Sequence, residues 1–517
     1  MVNPFQLKLA SIQRSNGLLN EAEFKRIRLL NGLYLQTHGY MLRVGVPDGE
    51  LSGKQLAVLA AISEKYDRGY FHVTTRQNVQ FNWIKLLDAA NAVEILSRVK
   101  LYSSHTAGNC VRQITCDPYH GIRLDEFGDV TSVTRTLREK FTLNPYITQL
   151  PKKVKICVWS ANEDNVLGAF NDIGIRIVSG WALVTVGGGL GRNPRVGIKL
   201  LRVRVEALAS WIASFLRVYC ALSGPARTKV LVSNLGRETL LRLTVHEIKN
   251  MDVDVAIYAR NQQEIVVKDD INTIDWINDE DFQKWYENHT WPHKTKGLRR
   301  VEIGCSASFA PPGDMLASDA KLLCEIAQRY SMDQVRLSLS QTVILPYVHI
   351  LYLTKVYRAC KDFESHNVVC CPGLDYCTLA NARSILMAQK LRLLNCGLLI
   401  RVSGCQNACS QHHVFDVGVI GINKGGREVY HVVVGGSVAE RKLCVTLARS
   451  ASSEKVPGIV AKYAALINKL KKNSFESAHK CFERNRAFIM KKKNTTVKST
   501  AVKSTKAKPA KSALALI

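Results

Sequence analysis

The chain copies itself. E-K-Y-D-R-G-Y-F-H-V-T-T-R-Q-N-V-Q-F at 64–81 aligns without a gap on Q-R-Y-S-M-D-Q-V-R-L-S-L-S-Q-T-V-I-L at 328–345, an offset of 264 residues that places Tyr66 on Tyr330 and Gln77 on Gln341. Each copy follows an amphipathic helical pattern: Lys54 to Tyr66, with Ser52 as N-cap, and Leu316 to Tyr330, with Ser318 as cap. Each then enters an alternating run that predicts a strand, His72 to Phe81 and Val335 to Leu345. A second echo joins V-T-V-G-G-G-L-G-R (184–192) to V-V-V-G-G-S-V-A-E-R (432–441), both strands that end in glycine and so permit close backbone approach. The two echoes together predict an α+β fold of two homologous, pseudo-symmetric lobes with mixed sheets. The cleft between such lobes is a natural cofactor site. Their boundary falls in Asp269 to Gly297, which is rich in acids and aromatics and lacks strand alternation.

Only the second copy is followed by a distinctive set of thiols: C-P-G-L-D-Y-C at 371–377 and S-G-C-Q-N-A-C at 403–409. Cys371, Cys377, Cys405 and Cys409 make two close pairs that can enclose a cubane iron–sulfur cluster. The spacing is neither the run of a ferredoxin nor the paired knuckles of a structural zinc site. Gly404, Pro372 and Gly373 bend the backbone so that amides can point at sulfur. Cys370 competes with Cys371 for the first position; the tight Pro-Gly turn favours Cys371. The remaining cysteines (110, 116, 157, 220, 305, 324, 360, 396, 444, 481) read as small buried hydrophobes.

The first copy concentrates cations instead. Arg43, Arg76, Arg112, Lys152, Lys153 and Lys155 stand in Y-M-L-R-V, T-T-R-Q, N-C-V-R-Q and L-P-K-K-V-K. Alternation through Lys153-Val154-Lys155 puts both ammonium groups on one face. Together these residues look like an anion pocket opposite an electron source. The net charge of +28 attracts anionic partners, and Lys491 to Lys511 holds eight Lys and no acid, a composition expected to stay disordered. Basic residues interleaved with aromatics on one face are not evident, so no nucleic-acid partner is expected. No apolar run reads as a bilayer span and no leader pattern opens the chain, which predicts a cytoplasmic protein without a membrane partner.

With these motifs in order, the sequence resembles the siroheme- and [4Fe-4S]-containing sulfite/nitrite reductases, and most the bacterial assimilatory sulfite reductase hemoprotein subunits. The likeness runs from about Asn31 to about Ile467 and is carried by T-T-R-Q-N (74–78), L-P-K-K-V-K (150–155), V-G-G-G-L-G-R (186–192) and the two cysteine motifs. It implies siroheme and a [4Fe-4S] cluster as cofactors. The four cysteines would hold the cluster, and Cys409 would bridge it to the siroheme iron. Arg43, Arg112, Lys153 and Lys155 would surround the substrate anion. Thr74, Thr75, Arg76, Gln77, Gly188 and Arg192 would contact the siroheme, with Arg76 on its carboxylates. Lys155 stands where sulfite reductases tend to have Lys and nitrite reductases Asn, which favours sulfite over the alternative, nitrite. Lys152, Gln113 and Ser410 depart from the family pattern.

The family layout implies a first ferredoxin-like half-domain over 1–120 and a siroheme-binding α/β domain over 121–268. A linker over 269–297 leads to a second ferredoxin-like half-domain over 298–365. A cluster- and siroheme-binding domain over 366–490 and a disordered basic tail over 491–517 complete it. No flavin or nicotinamide fingerprint opens a helix after a strand. Electrons are therefore expected from a reduced ferredoxin or a separate flavoprotein, steered by the basic body.

Overall fold

The computed structural model describes residues 4–246, 255–256 and 279–498, apart from positions 143, 145, 146, 148, 308 and 366. Four sheets come in two matched pairs. In the first sheet Leu33–Leu35, Tyr40–Gly45, Asn78–Ile84 and Tyr70–Val73 run antiparallel, and the far edge is Asp314–Leu316 from the second half. Its counterpart orders Thr290–Pro292, Leu298–Ile303, Val343–His349 and Gln334–Leu337, and takes its edge, Glu50–Ser52, from the first half. The two exchanged strands lie at the same 264-residue offset as the repeat. Each half thus covers an open edge of the other.

Each exchanged strand leads into a helix, Gly53–Tyr66 and Ala317–Tyr330, and the two helices pack together. Leu56, Leu59, Phe71, Phe81, Leu323, Ile326, Val335 and Leu345 belong to one continuous core, so the half-domains form one body. Ser52 caps the first helix as expected, in a capping box with Gln55. The second departs from expectation: its cap is Leu316, with no side-chain bond, and Ser318 lies inside the helix.

The alternating runs are hairpins rather than single strands. The first breaks at 74–77 between Tyr70–Val73 and Asn78–Ile84, and the second at 338–342. Within these turns Gln77 and Gln341 sit at φ 55° and 59°, a conformation that ends a strand and that periodicity cannot reveal. The two glutamines also latch the halves. Gln77 Nε2 donates to Leu337 O at 3.1 Å, and Gln341 Nε2 donates to Val73 O at 2.9 Å. Their Oε1 atoms accept from the amides of Cys116 (3.2 Å) and Cys370 (3.1 Å), the starts of the following lobes. Gly49 and Gly313 make room for these amides: a Cβ on Gly49, at φ +73°, would lie 2.7 Å from Gln77 Nε2.

The other sheets repeat one topology. Thr115–Cys116, Ile156–Trp159 and Ile173–Val178 are parallel, then Trp181–Val186 and Ile198–Arg204 turn antiparallel, with Val255–Ala256 at the edge. Val368–Cys370, Ile400–Ser403 and Val417–Lys424 are parallel, followed by antiparallel Arg427–Val434 and Val445–Ala451. The glycine echo lands on equivalent corners, Gly187 (φ 75°) after Val186 and Gly435 (φ 77°) after Val434. The helix Val205–Leu222 is long and apolar enough to cross a membrane by length and composition, which corrects the expectation of no such run. Its Trp211, Ile212, Phe215 and Tyr219 are buried in the first lobe's core, against the sheet.

Of the stretch 269–297, residues 269–278 lie outside the described part. The rest is structured rather than a plain linker: Glu280–His289 is a helix capped by Asp279, and Thr290–Pro292 joins the second-half sheet. The final helix, Ala478–Lys498, runs through the first residues of the segment read as a tail; 499–517 lie outside the described residues. Cys220 is exposed, and Cys396 and Cys444 are half-buried, unlike the other cysteines read as core.

Candidate functional site

The cysteine motifs leave the carboxyl ends of adjacent parallel strands, Val368–Cys370 and Ile400–Ser403, where open α/β sheets gather their ligands. Gly373 (φ +61°) and Gly404 let the two loops touch: a Cβ on Gly404 would stand 2.7 Å from Gly373 Cα. The Gly404 amide donates to Cys371 Sγ at 3.3 Å, and the Asn407 amide to Cys405 Sγ at 3.5 Å. Burial, then the neighbouring Cys409, pushes the Cys371 thiol up to about 12. Cys377 and Cys405 are also raised, by burial first, and both sense Cys409. Cys371, Cys377 and Cys405 thus resist bare ionisation, and the exposed Cys409 stands beside them, a thiol set that favours a cationic occupant. Among the described residues no three His, Cys, Asp or Glu side chains converge tightly enough for one metal ion. Four thiols on two touching loops are the donor set that a polynuclear iron–sulfur cluster takes. Cys370 belongs to the apolar core of its lobe, which leaves Cys371 as the loop thiol.

The hairpin turn of the first half reaches this site. Thr74 Oγ1 accepts from the amides of Arg76 and Asn78, both at 3.2 Å, and fixes the turn. Thr75 Oγ1 donates to Cys409 O at 2.6 Å, and Gln411 Nε2 returns a bond to Thr75 O at 3.1 Å. Arg76 extends from the same turn to Asn171 Oδ1 (3.3 Å) and Gln113 O (2.9 Å). Burial draws it down to about 10, against the pull of Cys157 and with the push of Arg112. Gln77 serves the interdomain latch. Gly188 packs its backbone on the 169–171 turn, and it is Gly191, at φ +97°, that faces the cysteine loop, 3.5 Å from Asn407 O to its would-be Cβ. Arg192 is exposed, and its charge acts on Cys405.

The cations of the first half come together around Lys153, which senses Cys409. Lys153 and Lys155 flank fully buried Val154, which bridges Val111, so both ammonium groups do share a face. Burial lowers Lys153 to about 8; Arg112 adds to the fall and Cys409 opposes it. Burial, then Arg76 and Lys153, hold Lys155 well below the ordinary lysine range. Arg43 is clamped by Gln80 Oε1, which accepts its Nε (3.2 Å) and Nη2 (2.8 Å). Arg112 donates to Gly108 O and Thr106 O. Lys152 is exposed, and its carbonyl accepts from Tyr219 Oη at 3.4 Å.

Three residues absent from the sequence reading complete the pocket. Tyr34 lies between Arg43 and Arg112. Arg227 acts on both Lys153 and Lys155, and its Nη2 donates to fully buried Asp172 Oδ2 at 2.7 Å. Asp172 also accepts from the Lys155 amide at 3.0 Å and from Thr228 Oγ1. Arg227 lies outside every motif that carried the family likeness, so nothing in the sequence marked it. Asp172 is a lone acid in an N-D-I-G turn, and only the fold brings it under the lysines.

Residues 34–99 match the model of the "Nitrite/Sulfite reductase ferredoxin-like half domain", and 107–251 that of the "Nitrite and sulphite reductase 4Fe-4S domain". The second match falls on the lobe that lacks the cysteine quartet. Similar curated proteins include a "Ferredoxin--nitrite reductase" of Synechococcus elongatus, 27% identical across 77% of this chain and 80% of its own. "Sulfite reductase [ferredoxin] 2" of Mycolicibacterium paratuberculosis is 25% identical across 78% and 75%. Among solved structures, the Mycobacterium tuberculosis NirA protein shares the fold with a TM-score of 0.77 at 19% identity, covering 95% of this chain and 97% of its own.

Proposed function

The chain belongs to the nitrite/sulfite reductase family, and we propose that within it this protein is an assimilatory, cytoplasmic hemoprotein that reduces sulfite to sulfide. The family's cofactors are siroheme and a [4Fe-4S] cluster. Held here, they would pass six electrons from an external donor to the bound anion. Cys371, Cys377, Cys405 and Cys409 are the proposed cluster ligands, and Arg76 and Arg192 the proposed partners of cofactor carboxylates. The observation that carries the reading is the juxtaposition at Cys409: the T-T-R-Q turn bonds its carbonyl, and Lys153 senses its sulfur. The first half's cations thus stand over the second half's thiols.

The residues of the pocket bind and protonate. Arg43 and Arg112, fixed by Gln80 and by backbone carbonyls, would attract the anion and hold it against an electron-rich centre. Lys153 and Lys155, whose protons are weakly held, are suited to give them up as sulfur–oxygen bonds break and to regain them from solvent. Electrons would come from a ferredoxin or a separate flavoprotein, consistent with a +28 chain attracting an acidic donor. All fifteen cysteines are free thiols, which suits a reducing compartment.

A nitrite reductase is the second reading. It is favoured by the lowered Lys155, because a pocket with one charge fewer suits a monoanion better than a dianion. The test is turnover of purified protein with both anions, beside its absorption spectrum. Sulfite is expected to be used with the higher kcat/KM, and Lys155→Asn to move the ratio toward nitrite by ~10-fold, the worth of ~1.4 kcal/mol of charge interaction. Better efficiency of the unmodified protein with nitrite would reverse the choice.

A further inference from the structure

Arg43 and Arg112 pose a packing problem. Two guanidiniums must stand close together, side by side, with enough charge left over to capture an anion. Carboxylate counter-ions would fix them but neutralise them. Their partners here are Gln80 Oε1 for Arg43 and the carbonyls of Gly108 and Thr106 for Arg112, none of them charged. One further group touches both. Tyr34 Oη accepts from Arg43 Nη1 at 3.2 Å and from Arg112 Nη1 at 3.3 Å, and donates to Thr106 O at 3.0 Å. A phenol has one proton to give and two lone pairs to accept with, so all of its capacity is used. The Arg43 guanidinium also lies over the Tyr34 ring, 4.6 Å from its centroid.

The local backbone is built for this contact. Tyr34 is the middle residue of Leu33–Leu35, which pairs with the strand carrying Arg43. The strand is entered through Gly32 at φ +71°, where a Cβ would lie 2.6 Å from Thr106 Oγ1 and 2.8 Å from Arg43 O. Thr106 Oγ1 in turn donates to Arg43 O at 3.1 Å. Glycine at this point lets Tyr34, Arg43 and the 106–112 loop meet.

We propose that Tyr34 is the positioning residue of the anion pocket: its hydroxyl ties the two substrate guanidiniums together without neutralising either. The inference rests on the reading of Arg43 and Arg112 as substrate cations. Both the geometry and the neutrality of the tie matter, because a dianion needs two cations at fixed separation.

The test uses holoenzyme carrying Tyr34→Phe, which keeps the ring over Arg43 and removes only the oxygen. KM for sulfite and for nitrite is expected to rise ~10-fold with kcat within ~2-fold, the scale of losing charge-assisted hydrogen bonds. Affinity for cyanide, read from the Soret shift, should fall in parallel, while affinity for neutral carbon monoxide stays as in the parent. Tyr34→Glu should weaken both anions further, since it ties the arginines but cancels charge. Unchanged KM in Tyr34→Phe, equal loss of carbon monoxide and cyanide, or parental anion affinity in Tyr34→Glu would each overturn the proposal. An unmodified protein that turns over neither anion would remove it together with the functional reading; a fully active one with an indifferent Tyr34→Phe would remove it alone.

Discussion

Lys153 makes the pocket's strength depend on pH in a calculable way. Burial and Arg112 bring it to about 8, so its ammonium form predominates below that pH and its neutral amine above it. If the anion binds only the ammonium form, KM approaches a ~10-fold rise for each pH unit above the transition, or ~50-fold from about pH 8 to about pH 10. Sulfite is mostly dianionic at the start of that interval and more so above it, so its own titration would lower KM slightly and cannot produce the rise. The assay is steady-state KM for sulfite against pH with a dye donor, repeated on Lys153→Arg. A guanidinium keeps its charge throughout this range, so the variant should flatten most of the limb while retaining affinity near neutrality. A KM independent of pH in the unmodified protein, or an identical limb in Lys153→Arg, would refute the assignment of this charge to anion capture.

Iron analysis should separate Cys370 from Cys371. Cys371→Ser is expected to lose cluster iron, whereas Cys370→Ser should keep it and show only a lower melting temperature, because Cys370 is core. Gly49→Ala places a Cβ 2.7 Å from Gln77 Nε2 at a left-handed φ; thermal unfolding should show a loss of about 1–3 kcal/mol, and no loss would argue against the latch. Deleting 499–517 should leave dye-driven turnover unchanged, since none of the residues proposed for the site lies in that segment.

Much of the site was legible because its residues sit in short, glycine-marked motifs. Gly373 and Gly404 announced a turn, and the structure uses them to press two cysteine loops together. The 264-residue offset announced two like halves, and it recurs in the helices, the hairpins and the latch glutamines. Alternation misled in the T-T-R-Q stretch. A turn whose strands both continue the apolar pattern has no local breaker, and the left-handed Gln77 is held by Leu337 and the Cys116 amide, each far away in the chain.

What the amino-acid order determined alone is the inventory: two copies of one α+β unit, a thiol quartet after the second and a surplus of cations in the first. Which of these face one another was decided by the exchange of Glu50–Ser52 and Asp314–Leu316 between sheets, and by Thr75 reaching Cys409. Tyr34, Asp172 and Arg227 acquire their meaning only there. Hydrogen bonds and charges act over a few ångströms in space, and periodicity along the chain cannot register a partner tens or hundreds of residues away.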